Sequence, residues 1–195
     1  MSSPLDLPFA VHPRLETERL ILREITESDA EALFVVCSDA EWLRLWGSPV
    51  HKTVADTKHM IGMLKRAHQE GSQLRWGICV RGAEHHLIGA IGFFRFLSYH
   101  YRAEITYEQA RSASGKGYMT EALRAVVRFG FEQLDLHTIE AGIDPGHGPS
   151  LRVAERVGFQ REGYLRENYF FQGKFYDTIL CTMFSPRPAE RPYNK

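Results

Sequence analysis

The chain has little of several features that mark particular protein classes. Its only cysteines are Cys37, Cys79 and Cys181, and an odd number of widely spaced cysteines does not predict a disulfide framework. Lys plus Arg and Asp plus Glu each number 24, so no basic excess indicates nucleic-acid binding. No apolar run is long enough to span a bilayer, and the first eleven residues do not resemble a signal peptide. We therefore expect a cytoplasmic protein that binds neither nucleic acid nor a membrane.

What is present is typical of a globular domain. Hydrophobic residues make up 44% of the 195 positions and charged residues 25%, which suits one domain with a substantial core. There is no internal repeat, and we expect a single domain over residues 14–184 with terminal extensions at 1–13 and 185–195.

The apolar spacing predicts strands and helices in a mixed order. Alternating or continuous apolar runs predict strands at residues 20–23, 73–80, 87–96, 103–107, 138–143, 159–164 and 175–184. Helical spacing and capping residues predict helices that begin near Thr26 or Ser28 and over residues 54–70, 120–134 and 151–157.

A glycine-containing loop joins the strand at 103–107 to the helix that follows it. Gly115 and Gly117 allow backbone to approach a ligand closely, and the first N–H groups of a helix have no partner within it. Arg111 and Lys116 add positive charge. This arrangement predicts an anion site, with phosphate as the usual ligand. An ordinary glycine-rich turn before a core helix is the alternative.

Two common phosphate loops do not fit this stretch. A Walker loop requires glycine at position 110, which is Ala110, and Ser or Thr after the Gly-Lys pair, where Gly117 stands. A dinucleotide fingerprint requires a third glycine where Thr120 stands.

The shorter loop resembles the pyrophosphate loop of the GNAT superfamily of acetyl-CoA-dependent N-acetyltransferases, written Q/R-x-x-G-x-G/A. Five blocks of the chain also resemble, in the correct order, the branch of this superfamily that acetylates ribosomal-protein N-termini. They are the segments 15–23, 104–107, 115–123 and 144–159, and the ending with Gly163, Gly173 and Asp177. Five blocks in order are far more specific than any one of them.

The resemblance implies an α/β fold of the α+β type. We expect a mixed, mostly antiparallel and twisted sheet of about seven strands, splayed between the fourth and fifth and flanked by about four helices. It also implies acetyl-CoA as a co-substrate, no metal, an amine acceptor, and a monomer or homodimer. The implied cofactor-binding residues are Ile105, Thr106, Tyr107, Ser112, Ala113, Ser114, Gly115, Lys116, Gly117, Tyr118, Met119, Thr120, His147 and Ser150.

Several positions depart from the pattern of this branch. Ser112 stands in place of Gln or Arg, and His147 in place of an Asn that typically contacts the pantetheine arm. A neutral imidazole can still donate one hydrogen bond and accept another. Thr106 replaces glycine and Glu108 an aromatic residue, and Ala154 stands where many relatives carry a tyrosine acid.

Two residues are candidates for acid–base work. The resemblance places Glu104 on the strand beside the acetyl group, where it is the candidate general base. The alternative is that Glu104 only forms a surface ion pair with Arg95 or Arg102. In that case Glu108 and Tyr107 are the substitute candidates for the base. Ser150 is the candidate for protonating the thiolate, although it could also cap the helix beginning at residue 151. A backbone N–H in 105–107 is the expected oxyanion donor.

The remaining candidates concern metals and the acceptor. The pair His85-His86 invites a metal site, but without a second ligand cluster a solvated turn is favoured. Trp42, Trp46 and Tyr169 could line an acceptor cleft, with core packing as the alternative. No cysteine lies in a motif block, so the amine is expected to attack directly.

The acceptor itself stays open between two kinds of amine. The resemblance favours the N-terminal α-amine of a protein or peptide over a small amine such as a polyamine, amino acid or aminoglycoside. A non-catalytic acyl-CoA-binding module is a further alternative, motivated by the departures at Ser112, His147 and Ala154.

Overall fold

One mixed sheet forms the centre of the molecule in the computed structural model, which describes residues 11–43 and 49–187. The strands lie in the order β1-β2-β3-β4-β5-β6-β8-β7 across the sheet. They are β1 Leu15–Glu16, β2 Leu20–Glu24, β3 Gln73–Val80, β4 Leu87–Leu97, β5 Arg102–Gln109, β6 Thr138–Ile143, β7 Gln160–Phe171 and β8 Lys174–Phe184.

Helices cover both faces of this sheet. In the described part of the chain they are α1 Ala30–Cys37, α2 Ala40–Leu43, α3 Val54–Gln69, α4 Tyr118–Glu132 and α5 Gly148–Val157. On one face, α4 and α5 pack on Trp76, Ile91 and Phe93 of the central strands and bury the larger core. On the other face, α1 and α3 cover β2 to β4 with a smaller core. None of the described helices has the length and apolar character needed to cross a bilayer.

Local signals explain where α3 and α4 begin. Thr53 caps α3 by accepting a hydrogen bond from the Asp56 N–H, while the Asp56 carboxylate accepts from the Thr53 N–H. Before α4, Gly117 has φ +78°, a left-handed conformation that glycine adopts without the steric cost of a Cβ. The apolar side chains of α4 then recur at helical spacing and face the sheet.

The predicted fold class is confirmed, with a mostly antiparallel sheet whose only parallel pair in the described chain is β5 with β6. The sheet has eight strands instead of about seven because residues 15–16 pair with β2. The hairpin strand predicted at 159–164 continues to Phe171, and its polar bulge hides the alternation of side chains. Helix α5 begins at Gly148, three residues before the predicted start.

Candidate active site

The sheet opens where β5 and β6 separate. The two parallel strands pair only over Arg102–Glu104 and Thr138–Glu140. Beyond these residues β5 keeps pairing with β4, whereas β6 keeps pairing with β8, so the strands diverge as a V. The backbone groups of β5 that point towards β6 past Glu104 are therefore not used by the sheet. A ligand that supplies a strand-like edge can pair with them.

Two cavities meet at this opening. The first, of about 340 Å³, lies between β5, β6 and the β7–β8 hairpin, and we call it the hairpin cavity. The second, of about 270 Å³, lies between β5, the start of α4 and α5, and we call it the loop cavity. Tyr107, His147 and Ser150 line both cavities. A molecule in one cavity can therefore approach a molecule in the other at these three side chains.

The glycine loop lines the loop cavity. Ser114, Gly115, Gly117, Met119 and Thr120 all face it. Gly115 has φ +77°, and a Cβ added to it meets no atom within 4 Å. No side chain caps the start of α4, so its first N–H groups have no side-chain capping partner. The loop has the features that anion binding requires.

Contacts from the start of the chain hold this loop in place. The Glu121 carboxylate in the first turn of α4 accepts hydrogen bonds from the Thr17 hydroxyl and from the Arg19 backbone N–H. Arg19 also forms an ion pair with Glu121 at 2.6 Å and donates to the carbonyl of Lys116 at 3.1 Å. The sequence analysis did not predict this anchoring, because the partners lie about a hundred positions apart.

The positive charge around the loop cavity differs in part from expectation. Arg111 does not line the loop cavity; its guanidinium forms ion pairs with Asp39 and Glu41 and lies over the ring of Trp42. Arg152 and Arg156 of α5 line the cavity instead. Their spacing of four residues on a helix directly after the His147 loop is a signal that the sequence analysis missed.

His147 is the N-cap of α5. Its Nδ1 accepts a hydrogen bond from the Ser150 N–H at 3.4 Å, and its side chain is buried. Burial lowers the pKa of His147, with Asp144 acting in the opposite direction, so the ring is neutral at pH 7. Since Nδ1 accepts, the proton of the neutral ring lies on Nε2, which is a donor. The idea that Ser150 caps α5 is wrong, because His147 fills that role.

Tyr107 and Ser150 form a hydrogen-bonded pair between the two cavities. The Ser150 hydroxyl donates to the Tyr107 phenol oxygen at 2.9 Å, and the phenol donates to the Ser150 carbonyl at 3.3 Å. Burial raises the pKa of Tyr107 to about 12, although the bond from Ser150 opposes this. The phenol is therefore protonated at neutral pH, so Tyr107 donates a hydrogen bond and does not suit the role of substitute base.

Glu104 lines the hairpin cavity and also has an ion-pair partner. Its carboxylate accepts from Arg95 Nη1 at 3.1 and 3.2 Å, one of the two pairings that the sequence analysis weighed as alternatives. The Arg95 side chain is 70% exposed and that of Glu104 28%, so solvent screens the pair strongly. Glu104 therefore keeps access to a ligand in the hairpin cavity.

The other substitute base is not free. Glu108 is buried and forms an ion pair with Arg75 of β3. Separating a buried carboxylate from a charged partner is costly, so Glu108 is better suited to hold β3 and β5 together than to accept protons in turnover.

The remaining predicted residues are divided among several places. Ile105, Thr106 and Tyr169 line the hairpin cavity, while Trp42 lines the loop cavity and donates from its indole N–H to the Gln109 carbonyl at 2.7 Å. Trp46 lies outside the described residues. The predicted cofactor-binding residues that line neither cavity are Ser112, Ala113, Lys116 and Tyr118.

The histidine pair lies where the sequence analysis placed it. His85 and His86 are exposed in the turn between β3 and β4. Across residues 11–43 and 49–187, no three His, Cys, Asp or Glu side chains come together as a metal site would require.

These features fit acetyl-CoA. The loop cavity offers open backbone at Gly115, uncapped helix N–H groups and two arginines, which suit phosphates. The free edge of β5 suits the amide-bearing arm that joins the phosphates to the thiol. Both lead to Tyr107, His147 and Ser150, where the two cavities meet.

The family is decided by comparison with known proteins. Residues 19–160 match the model of the acetyltransferase (GNAT) domain. The chain belongs to the GNAT acetyltransferase family. It is an acetyl-transferring enzyme, which sets aside the alternative of a non-catalytic acyl-CoA-binding module.

Similar proteins support this assignment over most of the chain. The uncharacterized N-acetyltransferase YoaA of Bacillus subtilis is 38% identical over 90% of this chain and 98% of its own length. A ribosomal-protein alanine N-acetyltransferase of Escherichia coli is 28% identical over 89% of this chain and 91% of its own. A solved ribosomal α-N-protein acetyltransferase in complex with coenzyme A has a TM-score of 0.78 at 21% identity, covering 89% of this chain and 98% of that one. The last likeness shows the shared fold.

Proposed function

We propose that this GNAT enzyme transfers the acetyl group of acetyl-CoA to the N-terminal α-amine of a protein or peptide, by direct attack of the amine. The observation that carries the proposal is the meeting of two cavities at Tyr107, His147 and Ser150. One cavity suits the cofactor, and the other leads to Glu104 and accommodates the acceptor. The similarity to a ribosomal-protein alanine N-acetyltransferase supports the choice of acceptor.

Carboxylates in the hairpin cavity make it suitable for a protonated amine. Three carboxylates line the cavity, and each already has a partner. Glu104 pairs with Arg95, Asp144 accepts from the Gly146 N–H, and Asp177 accepts from the Tyr164 hydroxyl. The Gly146 N–H and the Tyr164 hydroxyl carry no charge that would neutralise their carboxylates, so the cavity attracts protonated amines in general. The choice of a peptide N-terminus over a polyamine therefore rests on the similarity to the alanine N-acetyltransferase.

The amine must lose a proton before it attacks. An α-amine has a reference pKa of about 7.7–8.0, against about 10.4 for lysine, so an N-terminus needs less help from a base. In the proposal Glu104 removes this proton, directly or through a water molecule, and its weak pairing with Arg95 leaves it available.

The other half of the chemistry takes place at the junction of the cavities. Acetyl-CoA supplies the acetyl group as a thioester, whose sulfur leaves as a thiol. In the proposal the Ser150 hydroxyl passes a proton to the sulfur as it takes one from a water molecule, so no alkoxide is left, and Tyr107 orients that hydroxyl. His147 donates from Nε2 to the cofactor arm in place of the usual Asn. A free N–H of residues 105–107 stabilises the negative charge that develops on the carbonyl oxygen.

The acceptor is tested with matched substrates. The enzyme is incubated with acetyl-CoA and one of three amines: a peptide with a free α-amine, a lysine-containing peptide with a blocked N-terminus, or spermidine. We expect release of CoA thiol and one added acetyl group on the free N-terminus, with much slower reaction of the others. Faster reaction with spermidine would instead make this a small-amine acetyltransferase.

The cofactor site is tested by two glycines in similar backbone conformations. Gly115 and Gly82 have φ of +77° and +86°, and an added Cβ at either meets no atom within 4 Å. Replacing either with alanine therefore imposes a similar backbone strain of about 1–2 kcal/mol. We expect Gly115→Ala to weaken CoA binding by about tenfold or more, because the added Cβ keeps the backbone from approaching the ligand closely. A tenfold loss of affinity corresponds to about 1.4 kcal/mol of binding free energy. Gly82→Ala should bind CoA as the wild type does.

Calorimetry with CoA measures both affinities, and thermal melting establishes that each variant is folded. Equal CoA affinity in folded Gly115→Ala and Gly82→Ala would contradict a cofactor site at the glycine loop.

A further inference from the structure

The β7–β8 hairpin contains a bulge beside the acceptor cavity. Leu165 pairs with Thr178, and the next pair is Tyr169 with Tyr176. Three residues of β7, numbered 166–168, therefore lie opposite the single residue Asp177 of β8. Glu167, in the middle of the three, has φ +51°, a left-handed conformation that is costly for a residue with a side chain. Such a bulge persists only where neighbouring contacts hold it.

Asp177 supplies those contacts. One carboxylate oxygen accepts from the Glu167 backbone N–H at 2.9 Å, and the other accepts from the Tyr164 hydroxyl at 2.5 Å. The hydrogen bond from Tyr164 is the largest of the effects that lower the pKa of Asp177, so the carboxylate is ionised at neutral pH. Hydrogen bonds to an ionised acceptor are stronger than neutral ones. The carboxylate thus takes the place of the ladder bonds that the bulge removes.

The bulge and its neighbours form one wall of the hairpin cavity. Leu165, Asn168 and Tyr169 line it from β7, and Tyr176 lines it from β8. The Tyr169 ring stacks on that of Phe171, with centroids 6.3 Å apart and an angle of 22°. Apart from Thr178 and the Asp177 carboxylate, which is held in its two hydrogen bonds, the wall therefore combines apolar side chains and aromatic rings with one side-chain amide. This is a surface for an uncharged, apolar side chain next to a peptide bond.

We propose that Asp177 is a positioning residue for acceptor selection. By fixing the bulge at 166–168, it holds Asn168 and Tyr169 against the second residue of the acceptor peptide. The inference rests on the proposed function, because it assumes a peptide acceptor in the hairpin cavity. It assigns a preference for an apolar second residue. A minimal acceptor that ends at its first residue does not reach this wall.

The test separates recognition of the second residue from chemistry. Asp177→Asn removes one acceptor oxygen and the charge, while Tyr164→Phe removes only the donated hydroxyl. For a peptide with leucine second, we expect both variants to raise the acceptor KM about tenfold, in line with the loss of one charge-assisted hydrogen bond. The kcat, the CoA affinity and the kinetics with alanine amide should stay at wild-type values. Glu162→Gln, on the exposed surface of the same strand and outside the cavity, is the matched control.

Each outcome bears on the inference. A wild-type KM for the leucine peptide in folded Tyr164→Phe overturns the inference. That variant keeps Asp177 but removes the hydrogen bond that its carboxylate accepts from the Tyr164 hydroxyl. An equal loss with peptide and alanine amide also overturns it, because general damage to the fold then explains the effect. A wild-type enzyme that acetylates spermidine but no α-amine overturns the proposed function, and this inference with it.

Discussion

Replacing Glu104 with glutamine is expected to lower kcat about 10²–10⁴-fold at neutral pH, the usual contribution of a general base. Glutamine keeps the size of the side chain and its ability to accept from Arg95, but it cannot take a proton. The CoA affinity should stay close to that of the wild type, since Glu104 lines the hairpin cavity and not the loop cavity. Steady-state kinetics and CoA calorimetry on the same preparation measure both quantities.

The ion pair with Arg95 provides the control for this prediction. Arg95→Ala removes the same salt bridge while keeping the carboxylate, and an exposed pair contributes about 0–1 kcal/mol to stability. If Glu104 acts as the base, Arg95→Ala keeps most of the activity, whereas Glu104→Gln loses it. If the pair matters only for structure, the two variants lose activity to the same degree.

The pH dependence of kcat in Glu104→Gln is a second, independent test of the same role. The defect of Glu104→Gln should shrink as the pH rises through the amine pKa of about 7.7–8.0, because more of the acceptor is already neutral. A wild-type kcat for Glu104→Gln at pH 7 rules out Glu104 as the base, and leaves a water chain as the remaining route for the proton.

Removing the Ser150 hydroxyl should give the other large effect. We expect Ser150→Ala to lower kcat about 10²-fold or more, because the sulfur then leaves without a positioned proton donor. Unlike the Glu104 defect, this one should persist at high pH, since neutral acceptor does not help the leaving group. Ser72→Ala, which removes a hydroxyl that donates to the Ala67 carbonyl at the end of α3, is the matched control.

Tyr107→Phe tests whether Tyr107 and Ser150 act together in catalysis. Because Ser150 donates to the Tyr107 oxygen at 2.9 Å, the two residues should act as a unit. The double variant is then no slower than the slower of the two single variants, as is usual for groups that work together. Losses that multiply in the double variant would show that Tyr107 acts separately from Ser150.

Local sequence signals predicted the parts of the site that are close together in the chain. The glycine loop, the start of a helix after it and the His147–Ser150 turn are each set by a few neighbouring residues. The start of α5 was predicted too late, although Pro149 marks the first turn of a helix, where its missing N–H is not needed.

Contacts between distant residues could not be predicted from the sequence in this way. Tyr107 and Ser150 meet only because β5 and β6 diverge and α5 crosses the gap, over a separation of 43 residues. The strand β7 was predicted to end near Tyr164, because the polar run 166–168 breaks the alternation. That run is a bulge, and its partner Asp177 is ten positions from Glu167 in sequence.

The separation of β5 and β6 also determines how the enzyme is held together. Backbone pairing joins the half-sheet β1–β5 to the half-sheet β6–β8 at three positions. The larger core, under α4 and α5, spans both halves, whereas the smaller core under α1 and α3 reaches only β2 to β4. Among the described residues, helix packing therefore joins the two halves on one face and covers only the first half on the other. In the proposed complex, an acceptor that touches both β5 and the hairpin would add a second connection between the two halves, so substrate binding would stiffen the enzyme across the opening.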